Sequence, residues 1–221
     1  MLLTNTSWGR SNLAAAERVA QDRDMPQVSS IAWYNWQERS LVDKYLKLVQ
    51  SGAQAVVLVA NDDEAAMLVR EMSALLPEQR LPVLSHWGVT GGRFVQEAGA
   101  ALAQVDFSVI QTFSFLRARG PVLDAFLATA RQQGVQRVED IESPVGVAHA
   151  FDMTHILARA LALAGSTDRG AVRDALEKVP RHDGLIKRYA PPFTATRHEA
   201  LGPAELLMAR YRADGVLQPV A

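Results

Sequence analysis

The chain has 221 residues, 48% of them hydrophobic and 21% charged, with a formal net charge of −1. That is the make-up of an ordinary globular protein, long enough for one large domain or two small ones. Scattered Lys and Arg without a basic excess argue against nucleic acid as a partner, and the lack of cysteine removes disulfides, thiolate metal sites and a Cys nucleophile together.

No apolar run approaches the ~20 residues of a membrane-spanning helix, and Met1 to Asn5 are too few for a signal peptide. Along the first two thirds, short apolar runs alternate with helix-period segments, the pattern of a parallel sheet covered by helices. Leu2 to Thr4 reads as a strand end, with Ser7, Trp8 and Gly9 in the loop after it. A helix is expected over Asn12 to Gln21, with Leu13, Ala16, Val19 and Ala20 on one side. A second strand is expected over Val28 to Trp33. A helix over Leu41 to Gln50 has a wide apolar face and Gly52 as its stop.

Ala55 to Ala60 is apolar without alternation, which predicts a strand buried on both faces. Asn61, Asp62 and Asp63 then cap a helix running to about Leu76. Pro82 to Ser85 reads as a short buried strand, followed by a glycine-rich loop from His86 to Gly92. Ser108 to Phe113 is rich in β-branched and aromatic residues, as strands are.

The pattern then changes to three helices with almost no strand between them. They are Pro121 to Gln133, Val145 to Ala164, and Asp168 to Lys178 with Thr167 as its N-cap. Each carries an apolar stripe, so each needs something to cover. They either pack on one another or lack a sheet that would cover them. The tail returns to strand-like segments at Leu185 to Tyr189 and Glu205 to Tyr211, with a turn at Asp214-Gly215.

Catalytic constellations are thin. No phosphate-binding glycine motif, nucleophile elbow or His-Glu-x-x-His helix is present. Asp152 and His155 are three apart on a helix and reach one face, as a hydrogen-bonded pair would. His149 and His155 fall on different faces, which does not suit a two-His metal site. An α/β enzyme with a disguised site stays open as a reading, but no positioned acid, base or nucleophile supports it.

The loops at the C-terminal ends of parallel strands carry more weight, because open α/β sheets bind ligands there. Three such loops hold Ser7 and Trp8, Asn61 and Asp62, and His86 and Trp87. Large apolar rings are usually buried, so two tryptophans in loops suggest either caps on the core or the aromatic lining of a small-molecule site.

These segments, in this order, resemble the leucine/isoleucine/valine-binding proteins, a type I periplasmic solute-binding family. Leu2 to Ser11 resembles the strand, turn and helix that open that family's second lobe. Ser51 to Val57 is similar to its next helix end and strand, and Val83 to Gly88 to the strand and loop after that. Phe151-Asp152-Met153-Thr154-His155 is similar to its Tyr-Asp helix, and Arg212 to Gly215 to its closing turn. Their order and spacing carry the resemblance, which covers essentially the whole chain.

The resemblance implies an α/β fold of the type I periplasmic-binding-protein kind, a parallel sheet flanked by helices. One complete lobe, residues 1–112 and 184–221, would be joined to the helices of an incomplete lobe at 113–183. It implies a non-enzymatic solute-binding component of an ATP-driven importer, located in the periplasm. Its partners would be a small-molecule ligand and a membrane permease, with no cofactor, metal or nucleic acid. A ligand-sensing module of the same fold is the alternative. By analogy the ligand would lie between two lobes, with Ser7, Trp8, Asn61, Asp62, His86 and Trp87 as the residues of this lobe that touch it. His86-Trp87 stands where amino-acid binders hold the ligand's ammonium with an acidic residue, so the expected ligand is either amino-acid-like or an aromatic carboxylate. The family's chain begins with about half of its first lobe, whereas this one opens at the second. The helices at 113–183 would then expose apolar stripes, and a homodimer through them is expected.

Overall fold

The computed structural model describes residues 1–22 and 24–220. It divides into two compact units, Met1–Ile110 with the C-terminal segment from Met208, and Gln111–Leu207.

In the first unit a seven-stranded sheet has the order β2-β1-β3-β4-β5-β8-β9 among the described residues. Its parallel strands are β1 (Leu2–Thr4), β2 (Ala32–Tyr34), β3 (Val56–Val59), β4 (Val83–Ser85) and β5 (Phe107–Gln111). The helices between them are α1 (Ser7–Val19), α2 (Val42–Gln50), α3 (Asp62–Ser73) and α4 (Phe94–Ala98). An antiparallel hairpin, β8 (Leu207–Tyr211) and β9 (Leu217–Pro219), closes the sheet through a turn with Gly215 at φ 82°.

Strand order sets where the core lies. Parallel crossovers are right-handed, and only the β1-to-β2 step runs opposite to the others, so α1 takes one face while α2, α3 and α4 share the other. The main core is on the three-helix face: Leu2, Val56, Leu58, Val83, Phe107 and Val109 pack there with Tyr45, Leu48, Leu68 and Phe94. This corrects the expectation for β3. Val57 is 41% exposed and its cross-strand neighbour Leu84 40%, because they point to the face where α1 is the sheet's helical cover.

Several boundaries also move. α1 begins at Ser7 because the Thr6 hydroxyl caps it, accepting from the Gly9 amide at 3.4 Å. Ser7, Trp8 and Gly9 are therefore helical rather than a loop. β2 starts four residues later than expected, and α3 stops at Ser73. α4 had no counterpart in the sequence reading. It is held by Phe94, which is 2% exposed and stacks against Phe107 and Tyr211 at centroid distances of 5.3 and 5.2 Å.

The second unit contains α5 (Pro121–Gln132), α6 (Pro144–Ala164), α7 (Arg169–Leu176) and a small hairpin of β6 (His182–Asp183) with β7 (Arg188–Tyr189). Its α7 is capped by Asp168, not Thr167: the Asp168 carboxylate accepts from the Ala171 amide at 2.9 Å. The helices pack on one another. Phe126 of α5 meets Phe151 of α6 edge-on at 5.5 Å, and Ala160 of α6 packs with Ala175 and Val179 at α7.

One buried carboxylate ties the hairpin to α6. Asp152, 1% exposed, accepts from the Leu185 amide at 2.6 Å, the Ile186 amide at 3.1 Å and the Tyr189 hydroxyl at 2.7 Å. Gly184 must lack a side chain, since a Cβ there would sit 2.5 Å from that carboxylate. His155 is not the partner of Asp152. It is exposed, and its Nδ1 pairs with the Phe151 carbonyl at 2.9 Å.

Candidate functional site

Three chain segments meet at the C-terminal edge of the parallel strands in the first unit. The first is the start of α1. A Cβ on Gly9 would overlap the Thr4 carbonyl oxygen and come within 3.2 Å of the Trp33 ring, so only glycine lets the helix turn this tightly off β1. That tight turn sets Trp8, half-buried, at the strand end, with the exposed Ser7 beside it.

The second segment follows β3. Asn61 is the extended N-cap residue of α3, but its side chain makes no capping bond. Asp62 is turned away to the loop at 91–93. Its Oδ2 accepts from the Arg93 amide at 3.3 Å, and Gly92, at φ 54°, leaves the space its carboxylate occupies.

The third segment follows β4, where a 3-10 turn over Trp87–Thr90 replaces the expected open loop. His86 is its N-cap: the ring Nδ1 accepts from the Gly88 amide at 3.1 Å. The Thr90 hydroxyl donates to the Trp87 carbonyl at 2.7 Å and closes the turn. A Cβ on Gly88 would lie 3.4 Å from the Ala60 carbonyl, 3.5 Å from Asn61 Oδ1 and 3.5 Å from His86 Nδ1, so the β3 and β4 segments touch here.

The rings gather around His86. Trp8 meets it edge-on at 5.5 Å and Trp87 lies tilted against it at 4.9 Å. Burial holds the His86 imidazole below its ordinary range, so the ring is neutral near pH 7. Of the six sequence-predicted residues, Trp8, His86 and Trp87 form one cluster, and Asn61 adjoins it through Gly88. Ser7 sits at its margin, and Asp62 serves the neighbouring loop.

Sequence reasoning passed over the segment after β2. Trp36 there is 58% exposed, and Asn35 is bonded to Asn5 of the β1 segment at 3.1 Å. The signal was the aromatic run Trp33, Tyr34 and Trp36 across the end of a strand. Two cavities of about 450 and 490 Å³ flank Tyr211 and share no residue with the ring cluster.

The arrangement can wall a flat solute and offer it polar contacts. Among the described residues no three His, Asp or Glu side chains converge as a metal would need, and no helix is long and apolar enough to cross a membrane. The Nδ1 of His86 is occupied by a backbone amide.

A family model described as "Periplasmic binding protein" matches residues 1–215. No curated protein matches the chain. Among solved structures, a type 1 periplasmic binding protein from Bordetella pertussis superposes with TM-score 0.82 at 19% identity, covering 99% of this chain and 60% of that one. A leucine binding protein from Thermotoga maritima gives 0.76 at 14% identity, with 100% and 59% covered. A branched-chain amino acid substrate-binding protein from Streptococcus pneumoniae, solved with isoleucine, gives 0.73 at 19% identity, with 99% and 59% covered. The chain thus spans about three fifths of the length of these proteins and shares their fold over that span.

Proposed function

Because the chain belongs to the periplasmic binding protein family, we propose that it is the solute-binding component of an ATP-driven importer. In this reading it works outside the cytoplasmic membrane and delivers a small molecule to a membrane permease. The family supports a solute-binding role; the importer, the permease and the periplasmic location are the proposal. The observation that carries the reading is the ring cluster of Trp8, His86 and Trp87 at the C-terminal edge of parallel strands, where open α/β sheets place their ligands. Asn61 and Ser7 supply further polar contacts, and catalysis has no part in it.

Thermal unfolding with amino acids, aryl acids and aryl amides tests the reading. A ligand at a hundred times its Kd stabilises by about 2.7 kcal/mol. The expected result is a concentration-dependent rise in the midpoint for at least one solute, lost in Trp8→Ala. A full panel without a rise rejects the proposal.

The expected homodimer finds no support in the comparisons. What the chain offers for self-association is the outer face of α6, where Met153, Leu157, Leu161 and Leu163 are 45%, 42%, 36% and 57% exposed. Sedimentation decides it, and a single monomeric species ends the idea.

A further inference from the structure

His86 can be assigned a protonation state from its contacts. Its Nδ1 accepts from the Gly88 amide at 3.1 Å, so Nδ1 carries no hydrogen. A neutral imidazole has one N–H, which must then be on Nε2. That N–H has no acceptor among the described residues. The imidazole that carries it is half-buried and neighbours two indoles, at 5.5 and 4.9 Å.

None of the carboxylates near this edge bonds to the ring cluster among the described residues. Asp62 is held by the Arg93 amide and by the space at Gly92. Asp63 is exposed on α3, and the charge of Glu64 is felt at Tyr34. Glu38 is bound to Lys44 and Asn35. An ammonium group brought to His86 would face an N–H rather than a carboxylate, whereas an acceptor oxygen would meet an N–H already in place.

We propose that His86 acts as a fixed, uncharged N–H donor in the ring cluster, and that the solute it selects is flat and ring-bearing, with an acceptor oxygen and no ammonium group. The class is aryl carboxylates or aryl carboxamides rather than amino acids. This rests on the solute-binding reading above and narrows it. The indoles wall the ring of the solute, and Nε2–H holds its oxygen.

Two substitutions separate this role from the capping role of the same ring. In His86→Asn the amide oxygen overlays Nδ1 and can still accept from Gly88, but nothing replaces Nε2–H. In His86→Gln the amide nitrogen reaches the Nε2 position while the cap is lost. Saturation-transfer NMR on the full chain, which detects millimolar affinities, is run with benzoate, benzamide, leucine and phenylalanine. Transfer is expected to benzoate or benzamide, and which of the two responds says whether the oxygen is charged. Affinity is expected to fall about tenfold in His86→Asn, the worth of one buried hydrogen bond, with unfolding unchanged, and to be partly retained in His86→Gln. Imidazole ¹⁵N shifts should show a bare Nδ1 and a protonated Nε2 at pH 7.5. The opposite tautomer overturns the proposal, as does His86→Asn binding like wild type. Transfer to leucine or phenylalanine alone overturns it and leaves the solute-binding reading standing. Silence from all four overturns both.

Discussion

Asp152→Asn is the substitution whose effect the structure sets most closely. The two carboxylate oxygens divide their work: Oδ1 accepts from the Leu185 amide at 2.6 Å, and Oδ2 from the Ile186 amide at 3.1 Å and the Tyr189 hydroxyl at 2.7 Å. Burial, then the bond to Asp152, holds the Tyr189 hydroxyl well above its ordinary pKa, so it stays a donor. Every partner of the carboxylate therefore points a hydrogen at it. An amide of the same shape must place its own NH2 against one of them. The less costly choice puts it at the Oδ2 position, where Tyr189 can rotate to accept and the Ile186 amide is left unpaired. One buried donor without a partner costs about 1–3 kcal/mol, and loss of charge weakens the bond to Leu185 by about 1 kcal/mol more.

The expected total is about 2–4 kcal/mol. Two assays read it independently. Hydrogen exchange at the Leu185 and Ile186 amides should accelerate by roughly 30- to 1000-fold, at about 1.4 kcal/mol per decade. The midpoint of the helical circular-dichroism transition should fall by on the order of 10 °C or more for a unit of roughly 100 residues. Gly184→Ala, whose Cβ would lie 2.5 Å from the same carboxylate, should reproduce the exchange phenotype without touching a hydrogen-bonding group. Unchanged protection at Leu185 and Ile186 in Asp152→Asn would refute the view that this carboxylate latches the hairpin to α6.

Three further outcomes follow from the same geometry. Gly9→Ala drives a Cβ into the Thr4 carbonyl and against Trp33, so it should cost about 2–3 kcal/mol of stability in urea and change tryptophan emission as α1 shifts. Tyr45→Phe removes a buried hydroxyl that donates to the Gln79 carbonyl at 2.8 Å and accepts from the Leu81 amide at 2.7 Å; a lower urea midpoint at unchanged m, by about 1–3 kcal/mol, is expected. Burial lowers the pKa of His86, and also of His149 and His182, where Asp152 partly offsets it. The unfolded chain therefore takes up more protons than the folded one once the pH drops below about 6.5, the ordinary histidine value. The contribution of these three rings to stability should be flat above that pH and decline below it. A stability maximum at pH 5 would contradict the assignment of these rings as neutral.

How much of this was legible before the fold was known depends on distance along the chain. The strands β1, β3, β4 and β5, the stop at Gly52 and the long helices are written in contiguous residues, and each was found within a few positions. What failed depended on partners far away in sequence. β3 has no alternation, yet Val57 is exposed, because burial of a strand's second face is decided by which crossover helices lie over it. The order β2-β1-β3-β4-β5 assigns three helices to one side and α1 to the other. α4 is five residues long, too short for a helical period to register, and it forms because Phe94 is gripped by Phe107 and Tyr211.

The site divides along the same line. That Trp8, His86 and Trp87 would come together at the C-terminal strand ends follows from topology, and the structure gathers their rings there. Their chemistry does not follow from it. Asp62 reads as a ligand residue in the sequence, but its fate is settled by Gly92, thirty positions on, which opens the space its carboxylate fills. His86 reads as a charged or uncharged ring equally well until Gly88, two positions on, is seen to turn its amide back onto Nδ1. One contact removes an anion from the ring cluster and the other fixes a hydrogen on the nitrogen left free. Together they are what the proposed preference for an acceptor oxygen over an ammonium group rests on.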